Sequence, residues 1–275
     1  MWLVVRVVAL AVVIAGALVL AGEGDRLLAL VDRAVGLFGT GPVMPHDGGE
    51  LPWPMRVGGL ALGLAAAFAH PVGRAVRQLV TLLHELGHTL VAAALGARPA
   101  GIVLRHDASG HARARWVGRA GLMRRLALAA VAFAGLPAAA TVSAIGARLF
   151  DLVGPDAVLW LFAIAGLVVT LLARSPWSLL VAVGTGGLAV AAMTEAAEAW
   201  AAGIVVAVLA AIAVRTTHDN WRALGHPLQR GDDARAVAGH LRLPARMVQL
   251  VQFVLGAGLS VWAVWLLLAP LPGLT

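Results

Sequence analysis

An all-α, polytopic bundle that crosses a membrane about 7–8 times, with one small cytoplasmic β-hairpin, is the architecture expected of this chain. Three observations carry that expectation. Apolar residues make up 60% of the sequence. Only 13% is Asp, Glu, Lys or Arg, against about 25% in a typical soluble domain. Long uncharged stretches alternate with two Arg-rich segments, as spans alternate with cytoplasmic loops under the positive-inside rule. The formal charge of +7 therefore belongs to membrane topology, and no nucleic-acid partner is expected. There is no Cys, which excludes disulfides and thiolate metal sites.

A spanning helix needs about 20 mostly apolar residues to cross a ~30 Å core. On that ruler the spans are 2–21, 56–70, 75–95, 126–149, 157–173, 177–193, 197–214 and 246–269. The first is read as a retained anchor rather than a signal peptide, since Arg6 is its only basic residue and the apolar run is long. The second is short, so it is either re-entrant or joined to its neighbour. Within 126–149, Gly135 and Pro137 predict a kink or local unwinding, because Pro137 has no N–H for its i−4 carbonyl.

The connections divide by charge. Leu27, Leu30, Val31, Ala34 and Phe38 recur at helical spacing, so 22–38 reads as an interfacial helix. Gly41-Pro42, Gly48-Gly49 and Pro52-Trp53-Pro54 mark 39–54 as an irregular loop. Two domains follow: 1–54, an N-terminal anchor with interfacial helix and loop, and 55–275, the membrane-embedded body. Segment 98–125 alternates on either side of Asp107-Ala108-Ser109-Gly110, a hairpin pattern. Segments 98–125 and 215–245 hold 12 of the 21 arginines and are expected to face the cytoplasm. The acidic connections 150–156 and 194–198 suit the opposite side.

The chemistry lies at His84-Glu85-Leu86-Gly87-His88, inside span 75–95. Histidines four apart project from one helix face about 6 Å apart, and two imidazoles so placed can share a zinc ion. Glu85 is displaced around the helix but adjacent to that face. It reaches water activated by the metal without being a ligand, takes the proton as base, and returns it to the leaving amine. At the frequencies of nine His and five Glu in this chain, a chance match to the pattern is expected about 0.01 times. Glu85 is also the one carboxylate deep inside an apolar span, where ionisable groups are usually functional. Gly87 leaves a side-chain-free patch for close approach.

A catalytic zinc takes a third protein ligand and keeps a position open for water. The residues leave that ligand open among Asp107, Asp219, Asp232 and Asp233, each equally suited to capping a helix or pairing with Arg. His46 and His70 read as interfacial or solvated. His106 and His111 lie in the hairpin, either solvated or serving substrate and proton transfer. Trp177, Trp221, Trp262 and Trp265 fit interface anchoring or helix packing.

From about residue 55 to 269 the chain resembles the site-2-protease-like intramembrane zinc metalloproteases, in their bacterial and plant branch. The resemblance rests on Thr81 to His88, the hairpin from Gly101 through Gly110, Ala134-Gly135-Leu136-Pro137, and Asp232-Asp233-Ala234 before the last helix. It implies a zinc-dependent endopeptidase that cuts transmembrane helices of other proteins, often to release a regulator. His84 and His88 are then zinc ligands, Glu85 the catalytic base, and Asp233 the third ligand, with Asp219 the second choice. The chain departs from the family in lacking an Asn-Pro-x-Asp-Gly element and in having Arg174-Ser175-Pro176 where branch relatives have Arg-Asn.

The expected partners are accordingly the lipid bilayer and a transmembrane protein substrate, for a multi-pass protein of the cell membrane. The hairpin edge is a place where an unwound substrate strand can add. Two other classes fit the same motif: a catalytically silent membrane-bound regulator, and a proton-coupled transporter using Glu85 and the histidines as a relay. The absence of an internal repeat speaks against transport.

Overall fold

The computed structural model describes residues 51–116, 121–194, 198–229 and 231–269. The expected anchor 2–21, the interfacial helix 22–38, His46 and nearly all of the 1–54 unit lie outside the described residues. Helices α1 (Trp53–Phe68) and α2 (Val72–Ala94) lead into the antiparallel strands β1 (Arg98–Leu104) and β2 (Gly110–Arg115). Then follow α3 (Gly121–Leu152), α4 (Pro155–Leu172), α5 (Pro176–Ala192), α6 (Glu198–Leu224), α7 (Asp233–Leu241) and α8 (Ala245–Leu268). The all-helical body with one small hairpin is as expected.

The number of spans is lower than expected. Among the described residues α3, α4, α6 and α8 are long and apolar enough to cross a membrane, and α1 with α2 supplies at most a fifth. The expected spans 56–70 and 75–95 fuse into this one unit, bent by 89°. Span 177–193 is α5, whose 17 residues reach only about 26 Å at 1.5 Å each. The segment 215–245 is also not a plain loop: α6 continues to Leu224 and α7 occupies much of the remainder.

Nor does α3 unwind at Gly135 to Pro137. It runs unbroken past Pro137. The Phe133 carbonyl, which a residue with an N–H at position 137 would have bonded, accepts instead from Gln252 Nε2 of α8 at 3.3 Å. Other open carbonyls are met by arginines. The last carbonyls of a helix have no partner within it and carry partial negative charge. Arg56, 7% exposed, donates to Ala269 O (2.8 Å) and Leu267 O (3.4 Å) at the end of α8. Arg125 donates twice to His240 O on α7, at 2.8 and 3.1 Å. Arg246 donates to Leu224 O at the end of α6 (3.0 Å).

The hairpin is clamped to the bundle through its turn and through β1. Gln78 Nε2 donates to the Arg105 and His106 carbonyls, and Thr81 Oγ1 to Ala108 O, all at 3.0 Å. The outer edge of β1 is covered by the α4–α5 connection: Arg174 N donates to Ile102 O (2.9 Å), Ser175 Oγ to Leu104 O (2.9 Å), and Leu104 N to Ser178 Oγ (2.8 Å). The outer edge of β2 has no strand partner among the described residues. Ile102 and Leu104 are buried with Leu82, Leu83 and Leu86 of α2 in the main core, which extends through α3, α4 and α6.

Candidate metal centre

The middle of α2 packs on α3 at very short range. A Cβ at Gly87 would lie 2.5 Å from Ala138 Cβ and 3.0 Å from Ala134 O, so the patch at Gly87 is filled by a neighbouring helix. This approach brings His84 and His88 to the wall of α3. The first turn of α7, lying on the same helix, presents Asp233. Its Oδ2 is 3.1 Å from His84 Nε2 and 3.2 Å from His88 Nε2, and the two Nε2 atoms are 3.1 Å apart.

These three atoms form a nearly equilateral triangle. Ligands tetrahedrally arranged at about 2.0–2.1 Å from zinc are separated by about 3.3–3.4 Å, so the donor set fits that ion in both kind and spacing. His88 Nδ1 donates to Val131 O at 2.6 Å, which leaves the Nε2 lone pair for the cluster, the usual outer support of a metal-binding imidazole. Gly135 makes the space: a Cβ there would lie 2.4 Å from His88 Nε2 and 2.8 Å from Asp233 Oδ2.

Glu85, 5% exposed, stands beside the triangle and faces β2. Its carboxylate reaches the Ala112 backbone, and a Cβ on Gly110 would lie 3.0–3.1 Å from Glu85 Cγ and Oε1. A cavity of about 620 Å³ joins His84, Glu85, His88 and Asp233 to Gly110, His111 and the connection from α6 to α7.

The other sequence candidates fall elsewhere. Asp219 pairs with Arg215 (2.9 Å) and contacts His218 (3.3 Å). Asp232 accepts from Gln229 N (2.6 Å) just before α7, and Asp107 closes the hairpin turn with Ser109. His111 lines the cavity, its imidazole pushed down by burial and by Arg113 and Arg105. His106 sits in the turn and His70 at the bend before α2, both exposed. Asn220, His226, Gln249 and Phe253 also line the cavity and were not anticipated. Gln249 carried a signal, as an amide inside the apolar span 246–269; Asn220 was obscured by the loop assignment of 215–245.

A family model described as Peptidase M50B-like matches residues 57–264. No curated protein matches the chain, and no solved structure does.

Proposed function

The chain belongs to the Peptidase M50B-like family, the site-2-protease family, and from that premise we propose that it is a zinc-dependent endopeptidase cutting transmembrane segments of other membrane proteins. The observation that carries this reading is the meeting of His84, His88 and Asp233 beside a buried Glu85 in one cavity. His84 and His88 through Nε2, and Asp233 through Oδ2, would hold the ion. Zinc bound there would supply a Lewis acid that polarises a peptide carbonyl and acidifies water.

The chain's own groups divide the remaining work. Glu85 takes the proton of the attacking water and delivers it to the departing amine. Val131 O holds the His88 ring in the orientation that presents Nε2. The cavity admits water to a depth where lipid would exclude it.

A helical substrate must first expose its carbonyls, which its own hydrogen bonds conceal. The outer edge of β2 offers the extended segment a partner. Backbone groups of an antiparallel strand point alternately toward and away from the neighbouring strand. Ile102 and Leu104 of β1 point away from β2, so their register partners Ala112 and Gly110 turn their backbone groups to the outer edge, where the Ala112 amide already meets the Glu85 carboxylate. A substrate strand added there would run past the metal ligands.

The test is Glu85→Gln. The purified variant should bind zinc at the parental stoichiometry yet cleave a transmembrane reporter at least about 100-fold more slowly, the usual scale of general-base catalysis. Near-parental cleavage would remove Glu85 from the mechanism. A parent that binds no zinc would favour the catalytically silent regulator or the proton-coupled transporter.

A further inference from the structure

We infer that Gln252 is a positioning residue for the metal centre, acting through the carbonyl that Pro137 leaves open. The inference rests on the zinc reading above but concerns a residue outside the ligand set.

Helix α3 contacts the centre at two points. Val131 O receives the His88 Nδ1 proton at 2.6 Å, and Gly135 provides the gap into which His88 and Asp233 fit. Between them lies Phe133, the residue whose carbonyl loses its helical partner because position 137 is proline. An open carbonyl within a helix is where a kink or an inserted water starts. A kink at Phe133 would move Val131 relative to Gly135, displacing the His88 support from the gap that accommodates its ring. Two ligands would then lose their relative placement.

Gln252 occupies this point. It is fully buried (0% exposed) on α8, and its Nε2 donates to Phe133 O at 3.3 Å. An amide buried in an apolar helix loses its hydration, and one hydrogen bond is a modest return for that. Its Oε1 has no hydrogen-bond partner, so the side chain is not there to satisfy both of its own ends. The donor end meets the one backbone acceptor in α3 that Pro137 frees. Gln252 thus replaces the missing N–H and keeps α3 continuous across the two points that touch His88.

The experiment is a double-mutant cycle read by zinc affinity, measured by competition with a chromophoric chelator on purified full-length protein. Gln252→Met keeps the side chain's length and removes the donor. It should weaken zinc binding by about 10-fold, on the scale of lost outer-shell support. Pro137→Ala restores an N–H to Phe133 O, so the same Gln252→Met change in that background should alter affinity by less than about twofold. Equal losses in both backgrounds, or parental affinity of Gln252→Met, would overturn the inference. If Gln252→Met folds only with Pro137→Ala present, the coupling is upheld. If it folds in neither, Gln252 is a packing residue and the inference fails. A parent without zinc would instead reject the metalloprotease reading itself.

Discussion

Asp233 and Gly135 both act on His88, one by contact and one by the absence of a side chain. Removing the Asp233 carboxylate leaves two nitrogens to hold an ion that takes three protein ligands in a catalytic site. Asp233→Ala should therefore lower zinc affinity by about 10-fold or more, whereas Asp219→Ala, which breaks only the Arg215 and His218 contacts, should leave it within about twofold. Chelator competition on the two variants decides, and the reverse ranking would move the ligand to Asp219. The glycines give a matched pair. Gly135→Ala drives a methyl into His88 and Asp233, so zinc should be lost. Gly110→Ala meets Glu85 and Leu104 instead, so zinc should stay while cleavage slows by about 10-fold. At this scale the sequence was legible where the chemistry is local. The spacing of His84, Glu85 and His88 is a property of one helix turn. Asp233 was one of four open acids because its approach depends on how α7 lies against α3, which no spacing encodes.

Helices were legible by hydropathy only where hydropathy sets their ends. Segments α3, α4, α5 and α8 fall close to the apolar runs that announced them. Helix α6 outlasts its run by a third of its length, because Arg215, Asp219 and Arg222 end the apolar stretch but not the i→i−4 ladder. The right-angled break between α1 and α2 was likewise hidden, since two adjacent apolar runs read alike whether collinear or bent. Capping across elements was the least visible layer, since each arginine serves a distant carbonyl. Helix α7 shows what that layer does: Asp233 sits in its first turn, and its far end is held to α3 by Arg125. Arg125→Ala should free that end. The expected result is a loss of about 1 kcal/mol in stability, because the bonds are charged but only part-buried, together with a zinc affinity lowered by about three- to fivefold. Thermal unfolding and chelator competition on one preparation check both. Lowered stability with unchanged affinity would show that α7 is placed by its core contacts alone.

The whole molecule joins charge topology to chemistry. The two Arg-rich segments, far apart in sequence, meet at one end of the bundle: Gly110 and His111 of the hairpin and His226 to Gln229 beyond α6 border the same cavity. Helices α3, α4, α5 and α6 lie between them in the chain, and Arg174, between α4 and α5, returns to bond β1 on that same end. The positive-inside rule predicts that the Arg-rich segments are retained in the cytoplasm. On that rule the cavity is expected to open toward the cytoplasm. The chain contains no Cys, so single cysteines report without background. Ser109 and Gln229 are exposed on the two basic segments, and Thr194 is exposed at the opposite end of α5. Gln229 is a better site than Gly231, whose φ of 102° would strain any side chain. In intact cells a membrane-impermeant maleimide should label Thr194→Cys and spare Ser109→Cys and Gln229→Cys until the membrane is opened. The inverted pattern would reverse the orientation and place proteolysis on the outer face. Labelling of only one basic segment from outside would contradict the shared end itself, and with it the cavity that joins the hairpin to Asp233.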